Sequence, residues 1–170
     1  MSNKIVKKES ILSKLKELNK KKVVLCHGVF DLLHVGHIDY LNFSKTKGDL
    51  LVVSVTSDKY VKKGLNRPYF TEKIRAKAIS SLECVDLVII NDAPTAINII
   101  NLIKPIFYIK GADYKDSIKL DKNLQLEKNC VQKNKGKLLF ASEKLLSSSK
   151  IINNNFDIFN DDQKKFIDEI

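Results

Sequence analysis

All three histidines of the chain, His27, His34 and His37, fall within eleven consecutive residues. They lie in the stretch Cys26-His27-Gly28-Val29-Phe30-Asp31-Leu32-Leu33-His34-Val35-Gly36-His37, directly after an apolar run. His34 and His37 are three apart at a predicted helix start, so both rings project the same way. A helix N-terminus already favours anions through its free N–H groups and its dipole. Two imidazoles there add donors aimed at a phosphate. Gly28 ends a strand where backbone must approach a ligand closely, and Gly36 removes a side chain that would block a nucleotide. Phosphoryl and nucleotidyl transfer both need mainly positioning and charge stabilisation, so this arrangement suffices for either without a covalent nucleophile. Residue types alone leave two other readings open. One is a His-rich zinc site, although no Cys or carboxylate stands at ligand spacing; the other is histidines that only cap and pack.

Further candidates follow the other apolar runs. Arg67 and Arg75 are the only arginines among 30 basic residues. In so lysine-rich a chain, two arginines within nine residues point to a demand for the rigid bidentate fork. Gly111, in Lys110-Gly111-Ala112-Asp113-Tyr114, permits close backbone approach to a base or ribose, and Asp113 can accept hydrogen bonds from hydroxyls. Asp58, in Thr56-Ser57-Asp58, reads equally as a plain N-cap. Ser147-Ser148-Ser149 opens a predicted helix after the last run, a second place for anion binding at a helix start.

These residues need a frame. Five short apolar runs, Val23–Cys26, Leu50–Val55, Val85–Ile90, Ile106–Ile109 and Leu138–Phe140, are continuous rather than alternating, as strands buried on both faces of a parallel sheet are. Helices are predicted between them. Val35–Lys47 has Ile38, Leu41 and Asn42 in phase, and Thr71–Leu82 puts Ile74, Ala78 and Leu82 on one face behind Thr71 as N-cap. Ala93–Ile103 begins with Pro94, Asn123–Asn134 precedes the last strand, and another helix starts at Ser148. The pattern predicts an α/β fold, a Rossmann-like doubly wound parallel five-stranded sheet with helices on both faces. Ligands of such sheets sit beyond the carboxyl ends of the strands, where all these candidates fall. Residues 1–20 read as a helical extension, packed or dangling, 21–155 as the catalytic domain, and 156–170 as a tail.

Composition narrows the function classes. The net charge of +10 rests on 28 lysines spread along the chain without an aromatic-interleaved basic stripe. That argues against nucleic acid and fits phosphate-bearing small molecules. No run approaches the roughly 20 apolar residues of a membrane span. Cys26, Cys84 and Cys130 are scattered and odd in number, which fits buried thiols in a reducing, cytoplasmic setting.

The segment Gly28–His37 resembles the signature of the HxGH nucleotidyltransferase superfamily. With Leu32 after Asp31, it is similar to the cytidylyltransferase-like branch and to the adenylyltransferase domain of bifunctional ADP-heptose synthesis proteins. The resemblance runs from about Val23 to Asn153. It implies His34 and His37 as phosphate-holding catalytic residues, with Lys62 or Lys63, in the loop Lys62-Lys63-Gly64-Leu65-Asn66-Arg67-Pro68, closing over the leaving group. It implies nucleotide contacts at Gly28, Val29, Phe30, Gly36, Gly111, Asp113, Ser147, Ser148 and Ser149. Substrate contacts are implied at Asp31, Asp58, Arg67 and Arg75. Mg²⁺ would arrive with the nucleotide, and no protein metal site is expected. The implied reaction transfers a nucleoside monophosphate, from ATP in preference, to a sugar 1-phosphate such as heptose 1-phosphate. The alternatives are a CTP-dependent enzyme acting on glycerol 3-phosphate or another polyol phosphate, and a silent nucleotide-binding module. Cytidylyltransferases often carry Arg and Gly where this chain has Ser142 and Leu145. The resemblance further implies a homodimer, an upstream sugar kinase, and a role in cell-envelope polysaccharide synthesis. The tail from Phe156 to Ile170 resembles a connector to a kinase domain.

Overall fold

The apolar runs assemble into one parallel sheet in a computed structural model that describes residues 4–19, 22–64, 66–117 and 121–141. Strands β1 (Val23–Gly28), β2 (Leu50–Thr56), β3 (Leu87–Asn91), β4 (Phe107–Lys110) and β5 (Lys137–Phe140) lie in the order β3-β2-β1-β4-β5. Every pair is parallel; Val24 stands opposite Leu51 of β2 and Phe107 of β4. The predicted fold class therefore holds, and the strand order reverses between β1 and β4. Strand β2 is buried at all seven positions, which explains its unbroken apolar spelling.

Among the described residues six α-helices connect and cover the strands: α1 (Ile11–Glu17), α2 (Val35–Lys45), α3 (Glu72–Ser80), α4 (Ile97–Ile103), the short α5 (Tyr114–Ser117) and α6 (Lys122–Lys133). One face of the sheet packs Val24, Cys26, Val53 and Ile109 against α2 and α3 through Tyr40, Leu41, Ala76 and Ile79. The other packs Leu25, Val52, Ile89 and Tyr108 against α1, α4 and α6. Two apolar layers on opposite faces leave the carboxyl edge free for polar residues.

Several local expectations shift. The predicted inward face of α3, Ile74, Ala78 and Leu82, is rotated: Arg75, Ala76 and Ile79 are buried and Ile74 is 51% exposed. The cause is Arg75, whose buried guanidinium fixes the helix rotation. In α2 the buried residues are Gly36, Tyr40, Leu41 and Ser44. Helix α4 begins at Ile97 rather than Ala93, because the Asn91 side chain donates to the carbonyls of Ala93 and Thr95 and holds residues 93–96 in a turn. Glu127 then accepts the backbone N–H of Ala96, its N-cap. Thr71 stands at the N-cap of α3 but its side chain makes no capping bond; Glu72 instead accepts the N–H of Asp58.

The N-terminal helix is packed, with Ile11 fully buried. Ahead of it, Ile5 forms a parallel bridge to Val88, closed by bonds from Val6 N–H to the Val88 carbonyl and from Val88 N–H to that of Lys4. Among the described residues no helix is long and apolar enough to cross a membrane. Cys26 and Cys130 are buried, Cys84 is half-buried, and all three are free thiols. Burial pushes the Cys26 thiol up to about 11. The predicted helix from Ser148, the serine run and the tail lie outside the described residues.

Candidate active site

The site is built on the turn from β1 to α2. Phe30 and Leu32 both adopt positive φ, 54° and 48°, a conformation non-glycine residues hold only when their surroundings over-determine it. Here Asp31 and Arg75 do so. Asp31, 2% exposed, accepts the N–H groups of Tyr69 (2.9 Å) and Phe70 (3.1 Å), and its Oδ2 lies 3.0 Å from Arg67 Nε. Arg75, whose side chain has no exposure, donates to the carbonyls of Val29, Thr56 and Phe70 and to Asp58 Oδ1 at 2.7 Å. Asp31 and Arg75, both expected as substrate contacts, are thus engaged by partners within the protein. Both side chains are saturated inside the protein, where they bolt the histidine turn to the segment at residues 67–70. Asp58 is half-exposed but holds Arg75.

That turn delivers the histidines to the start of α2. His34 occupies the N-cap without a side-chain capping bond, which removes the capping reading for its ring. The rings of His34 and His37 stack with centroids 4.0 Å apart. Phe30, buried at 6% exposure, meets the His37 ring edge-on at 5.4 Å and stacks on Tyr40 at 6.4 Å. Its side chain is therefore a wall behind His37. Burial, then the neighbouring His34 and the charge of Lys63, press the His37 pKa down to about 3. Burial likewise lowers that of His34. Both rings are neutral at neutral pH, each offering one N–H donor and one acceptor. His27 parts from them. It points to the other face of the sheet, where Nδ1 meets Ser54 Oγ at 3.0 Å, and burial followed by Lys110 brings its pKa to about 3.

Five polar atoms here are buried without a hydrogen bond among the described residues: Nδ1 and Nε2 of His34, Nδ1 of His37, and Nε and Nη2 of Arg67, of which Arg67 Nε is met by the Asp31 carboxylate as an ion pair. Buried polar groups are almost always satisfied, so such a set asks for a ligand. Arg67, with 8% side-chain exposure, carries two of them. Lys63 stands close enough to depress His37, and its own pKa is lowered first by burial and then by Arg67. Lys62 and Lys63 line a cleft of about 280 Å³ with Gly28, Val29, Thr56 and Lys110. The described residues hold no group of three or more His, Cys, Asp or Glu able to bind a metal.

The structure brings together Gly28, Val29, Lys62 and Lys63 in the cleft, and His34, His37 and Arg67 in the unsatisfied cluster beside it. Gly36 is buried in the first turn of α2. A Cβ on Gly28 would stand 3.3 Å from the Phe30 ring, so its bareness serves the turn first. A Cβ on Gly111 would collide with Asp113 Oδ1, so this glycine shapes the path of Asp113. Sequence reasoning missed Thr56, Lys110 and Glu127 of the cleft wall. A charged residue closing an apolar strand run was the available signal for Lys110.

Comparison with known proteins places this geometry. The family model described as cytidylyltransferase-like matches residues 25–154. The bifunctional protein HldE of Campylobacter jejuni strain RM1221 is 39% identical over 149 residues, 86% of this chain and 32% of the relative. HldE of Helicobacter acinonychis is 45% identical over 115 residues, 66% of this chain and 25% of the relative. The chain thus spans about a third or less of the length of these relatives. The crystal structure of a lipopolysaccharide core biosynthesis protein from Thermoplasma volcanium superposes with a TM-score of 0.61 at 32% identity, over 72% of this chain and 98% of that one. A pantoate-beta-alanine ligase from Francisella tularensis shares the fold alone, with a TM-score of 0.60 at 17% identity over 98% of this chain and 78% of that one.

Proposed function

Because this chain belongs to the cytidylyltransferase-like family and is a nucleotidyltransferase, we propose that it moves AMP from ATP onto a heptose 1-phosphate or a closely similar sugar 1-phosphate. The cluster of unsatisfied imidazole and guanidinium atoms at the start of α2 carries the reading. It supplies donors, without a nucleophile, where an anion would gather charge. The Leu32-containing turn and the similarity to HldE proteins and to a lipopolysaccharide core biosynthesis protein support this acceptor class.

In the reaction an oxygen of the acceptor phosphate attacks the α-phosphorus. The new P–O bond forms as the α–β anhydride bond breaks, and pyrophosphate leaves. A phosphate oxygen is already anionic, so no base is required, which suits histidines held neutral. His37, seated against Phe30, donates to the charge developing on the transferred phosphate, and His34 holds the triphosphate. Lys62 and Lys63 offset the charge of the leaving pyrophosphate. Magnesium fits as a companion of the triphosphate: it binds chiefly through phosphate oxygens and water, and the described residues offer no carboxylate cluster for it. When bound it neutralises phosphate charge. A sugar kinase activity would supply the acceptor.

A matrix of four nucleoside triphosphates against heptose 1-phosphate, glucose 1-phosphate and glycerol 3-phosphate, read by pyrophosphate release, tests the proposal. ATP with heptose 1-phosphate is the expected best pair. CTP with glycerol 3-phosphate would replace it with the polyol reading. Preference for GTP or UTP would overturn the substrate assignment, and no release from any pair would leave a binding module.

A further inference from the structure

One cation in the cleft has no use in the scheme above. Lys110 is the last residue of β4. Tyr108 packs on the α4/α6 face and Ile109 on the α2/α3 face, so strand alternation returns Lys110 to the α4/α6 face. It is 6% exposed. Its ammonium donates to the His27 carbonyl at 3.4 Å, a long bond, and lies over the Tyr114 ring at 4.3 Å and near that of Tyr108 at 5.8 Å. Among the described residues it forms no ion pair. The buried carboxylate of Glu127 is committed elsewhere, to Ala96 N–H and the Tyr108 hydroxyl, both at 2.7 Å.

An ammonium has three donors, and taking it from water without a counter-charge is costly. One long hydrogen bond and two ring faces do not offset that cost. No carboxylate among the described residues pairs with this ammonium, which stands where the strand order reverses in a cleft shared with Gly28, Val29, Thr56, Asp121 and Asn123; Asp121 caps α6 through Leu124 N–H. The unsatisfied histidine atoms lie across the β1 end, at the start of α2 on the opposite face. Two anion-seeking groups on two faces match two phosphorylated substrates meeting at the edge between them.

We propose that Lys110 binds the phosphate of the acceptor, on the α4/α6 side, while the triphosphate is held on the α2 side. Lys110 makes no covalent change. It aligns the acceptor oxygen whose electron pair forms the bond to the α-phosphorus as the bond to the β-phosphate oxygen breaks. This assignment rests on the nucleotidyltransferase reading but not on which triphosphate or sugar is used.

The test compares wild type with Lys110→Met and Lys110→Arg, using the best pair from the substrate matrix. Lys110→Met is expected to raise the acceptor KM at least tenfold, with the triphosphate KM changed less than threefold, and Lys110→Arg to recover most of the loss. Because the substitution removes a buried charge that no carboxylate among the described residues pairs, the ligand-free melting temperature of Lys110→Met is expected to equal or exceed that of wild type. A purely structural lysine would lower it. A rise confined to the triphosphate KM, or no change in either, overturns the proposal. Calorimetric titration with inorganic phosphate and glucose 1-phosphate decides the matter even if no pair releases pyrophosphate. Binding by wild type weakened at least tenfold in Lys110→Met upholds the anion site. Equal affinities, or no binding by wild type, overturn it.

Discussion

His37 combines features that conflict unless a ligand is present: a stacked neighbour at 4.0 Å, an aromatic wall behind it, and a buried nitrogen without a partner. Replacing it with Ala is expected to lower turnover at least about 10²-fold, the scale for losing one preorganised donor, with the fold retained. His34→Ala is expected to weaken triphosphate binding as well as rate; isothermal titration alongside steady-state kinetics separates the two. The same burial fixes a pH response. His27 and His37 titrate near 6.5 when unfolded and near 3 when folded, so between those values the unfolded chain binds more protons. Their contribution to stability is complete above about pH 6.5 and declines as pH falls toward 3. Melting temperature is therefore expected to drop from pH 7 to pH 5, and the slope to be shallower in His27→Gln.

At the scale of elements, Arg75 decides how α3 sits. It serves three carbonyls and a carboxylate from a position without solvent, so Arg75→Met leaves all of them unmatched. The expected cost is about 3 kcal/mol or more, seen as a lower thermal midpoint. A phosphate contact would instead leave the midpoint alone and raise a KM. This residue also shows where sequence reading stops. The five strands were legible because burial on both faces spells itself in Val, Ile and Leu, and the turn from Gly28 to His37 was legible because its residue types are chemically unusual. The rotation of α3, the commitment of Asp31 to backbone N–H groups, and the burial of Lys110 and Glu127 were not. Each is a charged side chain turned inward, and periodicity counts charged residues as outward-facing. The internal partners of Asp31 and Arg75 were hidden for the same reason, and only coordinates reveal them.

For the whole molecule, the two faces of the sheet divide the labour. Helices α2 and α3 carry the histidine turn and its bolts, and α4 and α6 wall the opposite half of the cleft. Substitutions on the two sides are expected to be separable. A double variant joining His34→Ala with Lys110→Met should lower kcat/KM by close to the product of the single effects if the two residues hold different substrates, since independent contributions add in free energy. A much smaller combined loss, measured in the same assay, would mean that both residues serve one substrate.

The bridge between Ile5 and Val88 settles a hazard that the strand order creates. Strand β3 ends one side of the sheet, and its outward N–H and carbonyl groups, beside apolar Leu87, Val88 and Ile89, form a template for any passing extended chain. Lys4–Val6 occupies that template at Val88, and the Lys4 ammonium bonds the Leu82 carbonyl alongside. Three residues thus act as a selvedge, the finished border that keeps a weave from taking up further threads. Chains lacking residues 1–6 are expected to keep their strands and to self-associate with rising concentration, which static light scattering would register against the uncut chain.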